Sequence, residues 1–531
     1  MKYIILMASC LFMTFSYAKV NKGGTYKVNL GAQPTTLNPL SSTDGYASTV
    51  QKYVLDTFLK RNYETYEWEP GVAKEWKVSD DGLHFDFTIR ENVVWHDGKP
   101  LTIEDLKFSF DAIIEPTNKY KTAHMKSYYE NFEKAEILNK TTIRFIAKKK
   151  YFGNLEVLAD TWAIPKHIYS DTSKKNSRKM NKQIIGSGPY VFSKWRRGKS
   201  IVLKGNKKWW GSKLYQNQYN FNQIVMRFVK ESAVALQRLE RGDFDLLGLS
   251  AEQYLKKTNS KKWGKELNKV ETKNKAPKGY GFVGWNLKIK KFQSKKVRWA
   301  LTHLMNRKLM NEKFRYNKSL LATGPWYRQS EYADQDVKPM AFDPALALKL
   351  LREEGWKDTD GDQILDKDGE KFEFTLLNPS KDFMKYFTIY KEDLKKSGIK
   401  MNIKLLEWNT FIKLLEEKKF DALALRWGNG SVDMDPKQIW HSESSKPGGS
   451  NFNSYSNKKV DALIDQSRTI LDKKERIKKF KVIYKLIAND APYVFLFNTD
   501  SIFYGHSTKL QLDKPTLNYD LGTNKWYYKK L

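Results

Sequence analysis

Strand-like and helix-like patterns alternate along nearly the whole of this 531-residue chain, and that alternation restricts it to layered α/β packing. Residues 24–30 alternate apolar and polar as a half-buried strand does. They enter a loop with Pro34 and Pro39, and a helical stretch over 48–59 follows. Two strand-like runs flank the Ser79-Asp80-Asp81-Gly82 turn, a hairpin signal. Thr102-Ile103-Glu104-Asp105 opens a capped helix carrying Leu106, Phe108, Phe110 and Ile113. Residues 171–183 read as a polar, basic surface loop. Further on, helical patterns fall near 230–241, 296–312, 343–354, 383–397, 409–418 and 458–489, with strands near 222–229, 243–248, 279–287, 371–377, 400–407 and 420–426. No short-period repeat is present. The length exceeds what one core organises, so two or three lobes are expected, and 40% apolar with 14% aromatic residues is ample to fill them.

The first segment reads as an export signal. Lys2 precedes an apolar run from Tyr3 to Phe15, and Ser16-Tyr17-Ala18 supplies the small residues a signal peptidase requires, predicting cleavage after Ala18. The run is well short of the roughly 20 residues that a membrane-spanning helix needs. Cys10, the single cysteine, lies within the run rather than after it, which argues against lipid attachment there. The mature chain then has no thiol for a disulfide, a nucleophile or a metal site, and its stability rests on core burial.

The formal net charge of +34 raises the question of a polyanionic partner. The lysines are scattered, with only short runs such as Lys148-Lys149-Lys150, and no nucleic-acid motif accompanies them. They read as a solvated basic surface with no nucleic-acid partner and only a loose attraction to anionic membranes.

Residues 70–113 combine a proline-led entry, Trp76, the hairpin turn at Gly82, a strand ending at Arg90, the turn Trp95-His96-Asp97-Gly98 and an acidic helix start. Thr35-Thr36-Leu37-Asn38-Pro39-Leu40, the stretch 186–211 beginning Gly186-Ser187-Gly188-Pro189-Tyr190, the block 280–307 and the segment 345–369 follow in order. Together they resemble the extracytoplasmic solute-binding proteins of the peptide-binding family, which includes the dipeptide- and oligopeptide-binding proteins of ABC importers. The resemblance spans nearly all of the mature chain. It implies an α/β fold of the periplasmic binding protein type II-like kind, two lobes with a hinge plus an additional α/β domain. Lobe I would take 19–65, 185–275 and 490–531, the extra domain 66–184 and lobe II 276–489, with chain crossings near 276–285 and 490–497. It further implies a monomeric, non-enzymatic periplasmic protein, without cofactor, that captures short peptides or peptide-like solutes and presents them to a membrane permease. Two alternatives stand beside it: an exported hydrolase of peptide or cell-wall material, and a binder of metal chelates, haem or oligosaccharides within the same family.

The residues carry no hydrolase signature: there is no G-x-S-x-G, no H-E-x-x-H and no thiol pair. The seven histidines are unpaired at ligand spacing. The Asp358–Asp366 turn has oxygen ligands at alternate positions, but Gln363 stands where a calcium loop needs glycine and Gly369 where it needs glutamate, so it reads as a structural turn. His96-Asp97-Gly98 likewise reads as a tight turn before the capped helix.

The segment from Arg426 and Trp427 through Gly428 to Asp433, Asp435 and Pro436 follows a strand and opens into a loop, a frequent place for α/β ligand sites. In peptide-binding relatives the matching strand end pairs with peptide backbone, and an aspartate before the proline holds the ammonium group. The spacing from Trp427 to Pro436 is about two residues longer here, which leaves Asp433 as first choice and Asp435 as second. Both also suit capping of the next helix. By the same resemblance, Ser42, Thr43 and Tyr46 face the ligand from the other lobe. Trp427 is expected to wall the cleft, and Trp285 to lie in the core.

Overall fold

The computed structural model describes residues 20–428, 430–446 and 449–530. The export segment, with Cys10 and the expected cleavage after Ala18, lies outside them. No helix of the described residues is long and apolar enough to cross a membrane.

Three main sheets organise the chain. The first has seven strands in the order Leu267–Thr272, Ile502–Ser507, Leu246–Leu249, Thr25–Asn29, Gln223–Arg227, Ser200–Gly205 and Tyr190–Arg196. Thr25–Asn29 runs parallel to both of its neighbours, and the outer pairings are antiparallel. The second has six strands in the order Ser319–Leu321, Tyr493–Thr499, Tyr280–Trp285, Ala422–Trp427, Glu373–Asn378 and Lys400–Leu405. Its last three strands are mutually parallel. Both faces are covered: Trp285, Phe374 and Leu496 pack on one side, Tyr280, Phe282 and Phe495 on the other. That double burial explains the near-continuous apolar runs of these strands. Trp285 is fully buried, as its apolar setting predicts.

The third sheet is a four-stranded antiparallel unit from Ala73–Val78, His84–Ile89, Thr142–Ala147 and Phe132–Ile137. The helix Ile103–Ile114 packs on it through Phe110 and Ile113. Asp105 is a buried hub of its entry: the carboxylate accepts from Thr102 N at 2.9 Å, Trp95 Nε1 at 3.2 Å and Lys166 N at 2.8 Å. The His96–Gly98 turn folds against the Gly186–Pro189 segment, with His96 N donating to Gly186 O at 2.8 Å. Two distant blocks of the sequence thus form one structural unit.

Several elements differ from the sequence expectation. Helix Gly45–Val54 starts earlier than expected, because the Asp44 carboxylate accepts from Ala47 N at 2.8 Å. It stops at Val54, whose carbonyl accepts from Gly188 N at 2.9 Å, and a short strand, Leu59–Arg61, occupies the end of the predicted helix. The stretch 171–183 is not all loop: Ser173 caps the helix Lys174–Met180, and Met180 is buried beneath the first sheet's core. Tyr493–Thr499, expected among the first-lobe residues 490–531, belongs to the second sheet. Its six successive buried residues need partners on both faces. The chain therefore crosses between the first and second sheets at 273–279 and at 500–501. The two crossings lie side by side, and Lys273 pairs with Asp500 at 2.5 Å across them.

Arg307 ties the second lobe together. It is buried and donates to the carbonyls of Ala322 at 3.2 Å, Met340 at 2.8 Å and Phe495, while burial lowers its pKa to about 10. Removing the guanidinium strands three enclosed carbonyls, each worth about 1–3 kcal/mol. Arg307→Met is therefore expected to lower the stability of the second lobe by about 3 kcal/mol or more, read as an earlier urea midpoint in its unfolding transition.

Candidate functional site

The C-terminal ends of the parallel strands Glu373–Asn378, Lys400–Leu405 and Ala422–Trp427 converge on one edge of the second sheet, the edge at which α/β sheets bind ligands. Glu373–Asn378 pairs with Ala422–Trp427 only at Ala422 and Leu423. From Ala424 to Trp427 the opposite side of the strand stays paired to Tyr280–Trp285, but no strand of the described residues lies alongside this one. The result is a short length of backbone edge that can accept another strand. Leu405, at the same end of the sheet, and Trp408, just after it, are exposed at 43% and 52%.

A groove of about 470 Å³ lies where the two sheets meet, between Leu249–Glu252 and Ile502 on one side and Arg315, Lys318 and Lys385 on the other. Lys318 is paired with Glu271 at 2.8 Å. Arg315 donates to Ser319 Oγ at 2.8 Å and lies over the Phe497 ring at 4.9 Å, with no carboxylate of the described residues beside it. Arg426 is solvent-accessible on the neighbouring strand, where enclosure by protein and then the Arg315 charge lower its pKa. This end of the site is cationic and suits an anionic ligand group.

Trp427 is half-buried and stacks with Phe282 and with Phe452, both at 5.9 Å between centroids. Gly428 is exposed, with open space where a side chain would stand, whereas a side chain at Gly279 would meet the Trp427 carbonyl at 2.1 Å. The crossing segment thus presses directly against the end of the strand Ala422–Trp427.

The loop that follows is occupied by its own protein. The Asp433 carboxylate accepts from Tyr332 and lies 3.8 Å from Arg476 and 3.9 Å from Lys473. Burial, followed by the charge of Asp433, pushes the Tyr332 hydroxyl well up. Asp435 accepts from Lys437 N at 2.9 Å, Arg468 Nε at 2.8 Å and Tyr151 Oη at 3.0 Å. Between these carboxylates the loop meets the body built around the third sheet: Val432 N donates to Tyr66 Oη at 3.1 Å, and Glu156, whose pKa burial raises, faces Ser431. Arg476 lies over the Phe152 ring at 4.3 Å and Arg468 over Tyr151 at 4.7 Å. Residues 431–435 therefore form a seam between the second lobe and the body built around the third sheet. Tyr66, Tyr151 and Glu156 had no sequence signal of their own, because their partners lie hundreds of residues away.

Ser42 accepts from Gln51 Nε2 at 2.8 Å, Thr43 is exposed, and Tyr46 is 42% exposed against Gly31. These three stand at the start of Gly45–Val54, beyond the C-terminal end of the first-sheet strand Thr25–Asn29. Among the described residues no hydrogen bond joins them to 426–435. Asp358, Asp360 and Asp366 come within 4.8 Å of one another, and the Lys371 ammonium lies 2.5 Å from Asp360 and 3.8 Å from Asp366. A cation of the chain itself neutralises that turn.

Comparison with known proteins adds the following. Residues 67–449 match the family model for bacterial extracellular solute-binding proteins, family 5 (middle). The oligopeptide-binding protein AppA of Bacillus subtilis is 30% identical over 494 residues, covering 91% of this chain and 87% of that protein. Heme-binding protein A of Haemophilus influenzae is 24% identical, covering 88% and 85%. The structure of Bacillus subtilis AppA in complex with a nonapeptide superposes with a TM-score of 0.76 at 29% identity, covering 96% of this chain and all of that one. NikZ from Campylobacter jejuni, in complex with Ni(L-His), superposes at 0.76 with 23% identity over 95% and 99% and shares the fold.

The seam is testable at one atom. Tyr66→Phe removes the acceptor for Val432 N, worth about 1 kcal/mol, so amide exchange at Val432 is expected about fivefold faster with the remaining second-lobe amides unchanged.

Proposed function

The chain belongs to the bacterial extracellular solute-binding proteins of family 5, and on that premise we propose that it captures short peptides or peptide-like solutes between two lobes and hands them to the permease of an ABC importer. Its family is made of substrate-binding proteins, and catalysis has no part in the reading. The observation that carries the ligand class is the open backbone edge at Ala424–Trp427. Strand addition reads amide groups, which every peptide offers whatever its side chains. The relative crystallised with a nonapeptide is consistent with that chemistry.

Arg426, with Arg315 behind it, would receive the ligand's carboxylate. Trp427, Gly428 and the exposed Trp408 would border its side chains, and Ser42, Thr43 and Tyr46 would approach from the first lobe on closure. Asp433 and Asp435 fit a different role. Each already satisfies a desolvated cation, and a peptide ammonium at Asp433 would have to compete with Arg476 and Lys473. We assign both to the seam that holds the second lobe against the extra domain.

In this reading lobe I comprises 19–65, 185–275 and the chain after 500, the extra domain 66–184, and lobe II the residues between the crossings. Export with cleavage after Ala18 completes it. Ligand favours closure only through contacts made when both lobes meet, and the permease reads the closed form.

Mass spectrometry of a mildly prepared sample is expected to find co-purifying peptides; a haem, a metal chelate or a sugar in their place overturns the reading. With a bound peptide identified, N-methylation of one central amide is expected to weaken binding about tenfold, the loss of roughly one backbone hydrogen bond. Arg426→Ala should cost a similar factor, whereas Asp433→Asn should shift affinity less than about threefold and lower the melting temperature instead. A large affinity loss in Asp433→Asn with unchanged stability returns the ammonium role to Asp433.

A further inference from the structure

A second cavity, of about 350 Å³, lies wholly within the first-lobe side of the molecule. Its walls come from the end of helix Gly45–Val54, the hairpin after it, the segment following helix Asn154–Ala159 and the C-terminal tail. No residue between the two lobe crossings lines it. It is therefore separate from the strand edge described above.

Most charges around it are spent on neighbours. Asp56 accepts from Trp210 Nε1 at 2.8 Å and Ser187 Oγ at 2.9 Å and pairs with Lys60 at 3.2 Å. The Lys60 ammonium lies 4.5 Å from the Tyr215 ring centroid and 4.6 Å from that of Trp209. Glu64 pairs with Lys514 at 2.7 Å, and Glu69 accepts from Asn62 at 2.6 Å. Three charged groups are left over. Among the described residues, the Asp160 carboxylate and the Lys525 ammonium take part in no side-chain hydrogen bond or ion pair, and the Lys52 ammonium has only the Tyr53 ring, 5.8 Å away, and the more distant attraction of Asp520. Asp160 and Lys52 are accessible and both line this cavity, whose wall also carries the rings of Tyr63, Trp162 and Tyr219.

One free carboxylate, two free ammonium groups and aromatic walls are the complement of a small zwitterion. We propose that this cavity is a binding site for a free α-amino acid, with the ligand's ammonium on Asp160, its carboxylate on Lys52 and Lys525, and an apolar or aromatic side chain against Trp162 and Tyr63. The charge-assisted contacts are stronger in such a partly enclosed site than in water. The site stands independently of what the cleft between the lobes binds.

A pH dependence follows from the groups around Asp160. Burial, then Glu156 one helical turn earlier, raises its pKa to about 7, and Arg61 opposes them. Tyr63 and Tyr129 face it as neutral hydroxyls, and Lys52 and Lys525 face it across the cavity. An ammonium ligand needs Asp160 ionised, so binding nears its full strength about one pH unit above 7, is halved near pH 7 and weakens further as the carboxyl gains its proton. Between pH 8 and pH 6 the loss is about tenfold.

Calorimetric titration of the intact protein with L-phenylalanine tests the site. Saturable binding is expected, weakened at least tenfold by Asp160→Asn, by N-acetyl-L-phenylalanine and by L-phenylalaninamide, and unchanged by Arg426→Ala. The two blocked ligands remove one charge each without touching the protein, so the test stands even if a variant folds poorly. Absence of saturable binding, or equal binding of both blocked ligands, overturns the proposal. So does loss of binding in Arg426→Ala, which would put the amino acid in the cleft.

Discussion

Two adjacent strand pairs pass from the first sheet to the second, and this double crossing is the constraint on which the rest of the molecule depends. Leu267–Thr272 beside Ile502–Ser507 continues, through 273–279 and 500–501, into Tyr280–Trp285 beside Tyr493–Thr499. Each lobe has its own core packed against its own helices, and Tyr66, Phe152 and Tyr519 from the other side of the crossings rest on the second lobe's core. The Lys273–Asp500 pair and the bond from Ser501 Oγ to Glu271 at 2.8 Å keep the two connectors in step. The Gly279 backbone, pressed on the Trp427 carbonyl, brings this hinge next to the open strand edge. Any movement at the crossing is therefore felt where a ligand backbone would lie.

The seam at 431–435 supplies the second constraint. Asp433 and Asp435 are partly enclosed and matched to Arg476, Lys473 and Arg468. Such pairs add little net stability, because desolvation offsets most of the attraction, but breaking one leaves a costly enclosed charge. They act as register devices: the loop from the second lobe seats in one place against Tyr66, Tyr151 and Glu156. The strand edge just before that loop is thereby held in place against the body around the third sheet, while its backbone groups stay open. Rigid supports around an unsatisfied edge are what a receptor for varied peptides needs.

Much of the architecture was legible from residue order. The Ser79–Gly82 hairpin, the capped helix at Thr102 and the strands near 279–287 and 420–426 are local patterns set by side-chain period and turn chemistry, and they stand where those patterns put them. The misplacements have local causes too. Asp44 caps a turn earlier than the apolar pattern begins, and Ser173 starts a helix in a stretch whose lysines hide its one buried face at Met180. The run 493–499 went to the wrong lobe because burial on both faces looks alike in either sheet.

The sequence by itself determined the alternation of strands and helices, the capping residues, the buried Trp285 and, through dispersed blocks in a shared order, the family. These depend on interactions within a few residues or on a pattern spread along the chain. Only the tertiary structure decided which side of Ala424–Trp427 stays open, what Asp433 and Asp435 touch, and which of the many charges near Asp160 have partners. Those outcomes depend on residues such as Tyr66 and Val432, or Lys525 and Asp160, whose separation in sequence leaves no periodic trace. An aspartate in a ligand loop looks the same whether it awaits an ammonium group or already holds an arginine; its neighbours in space make the difference.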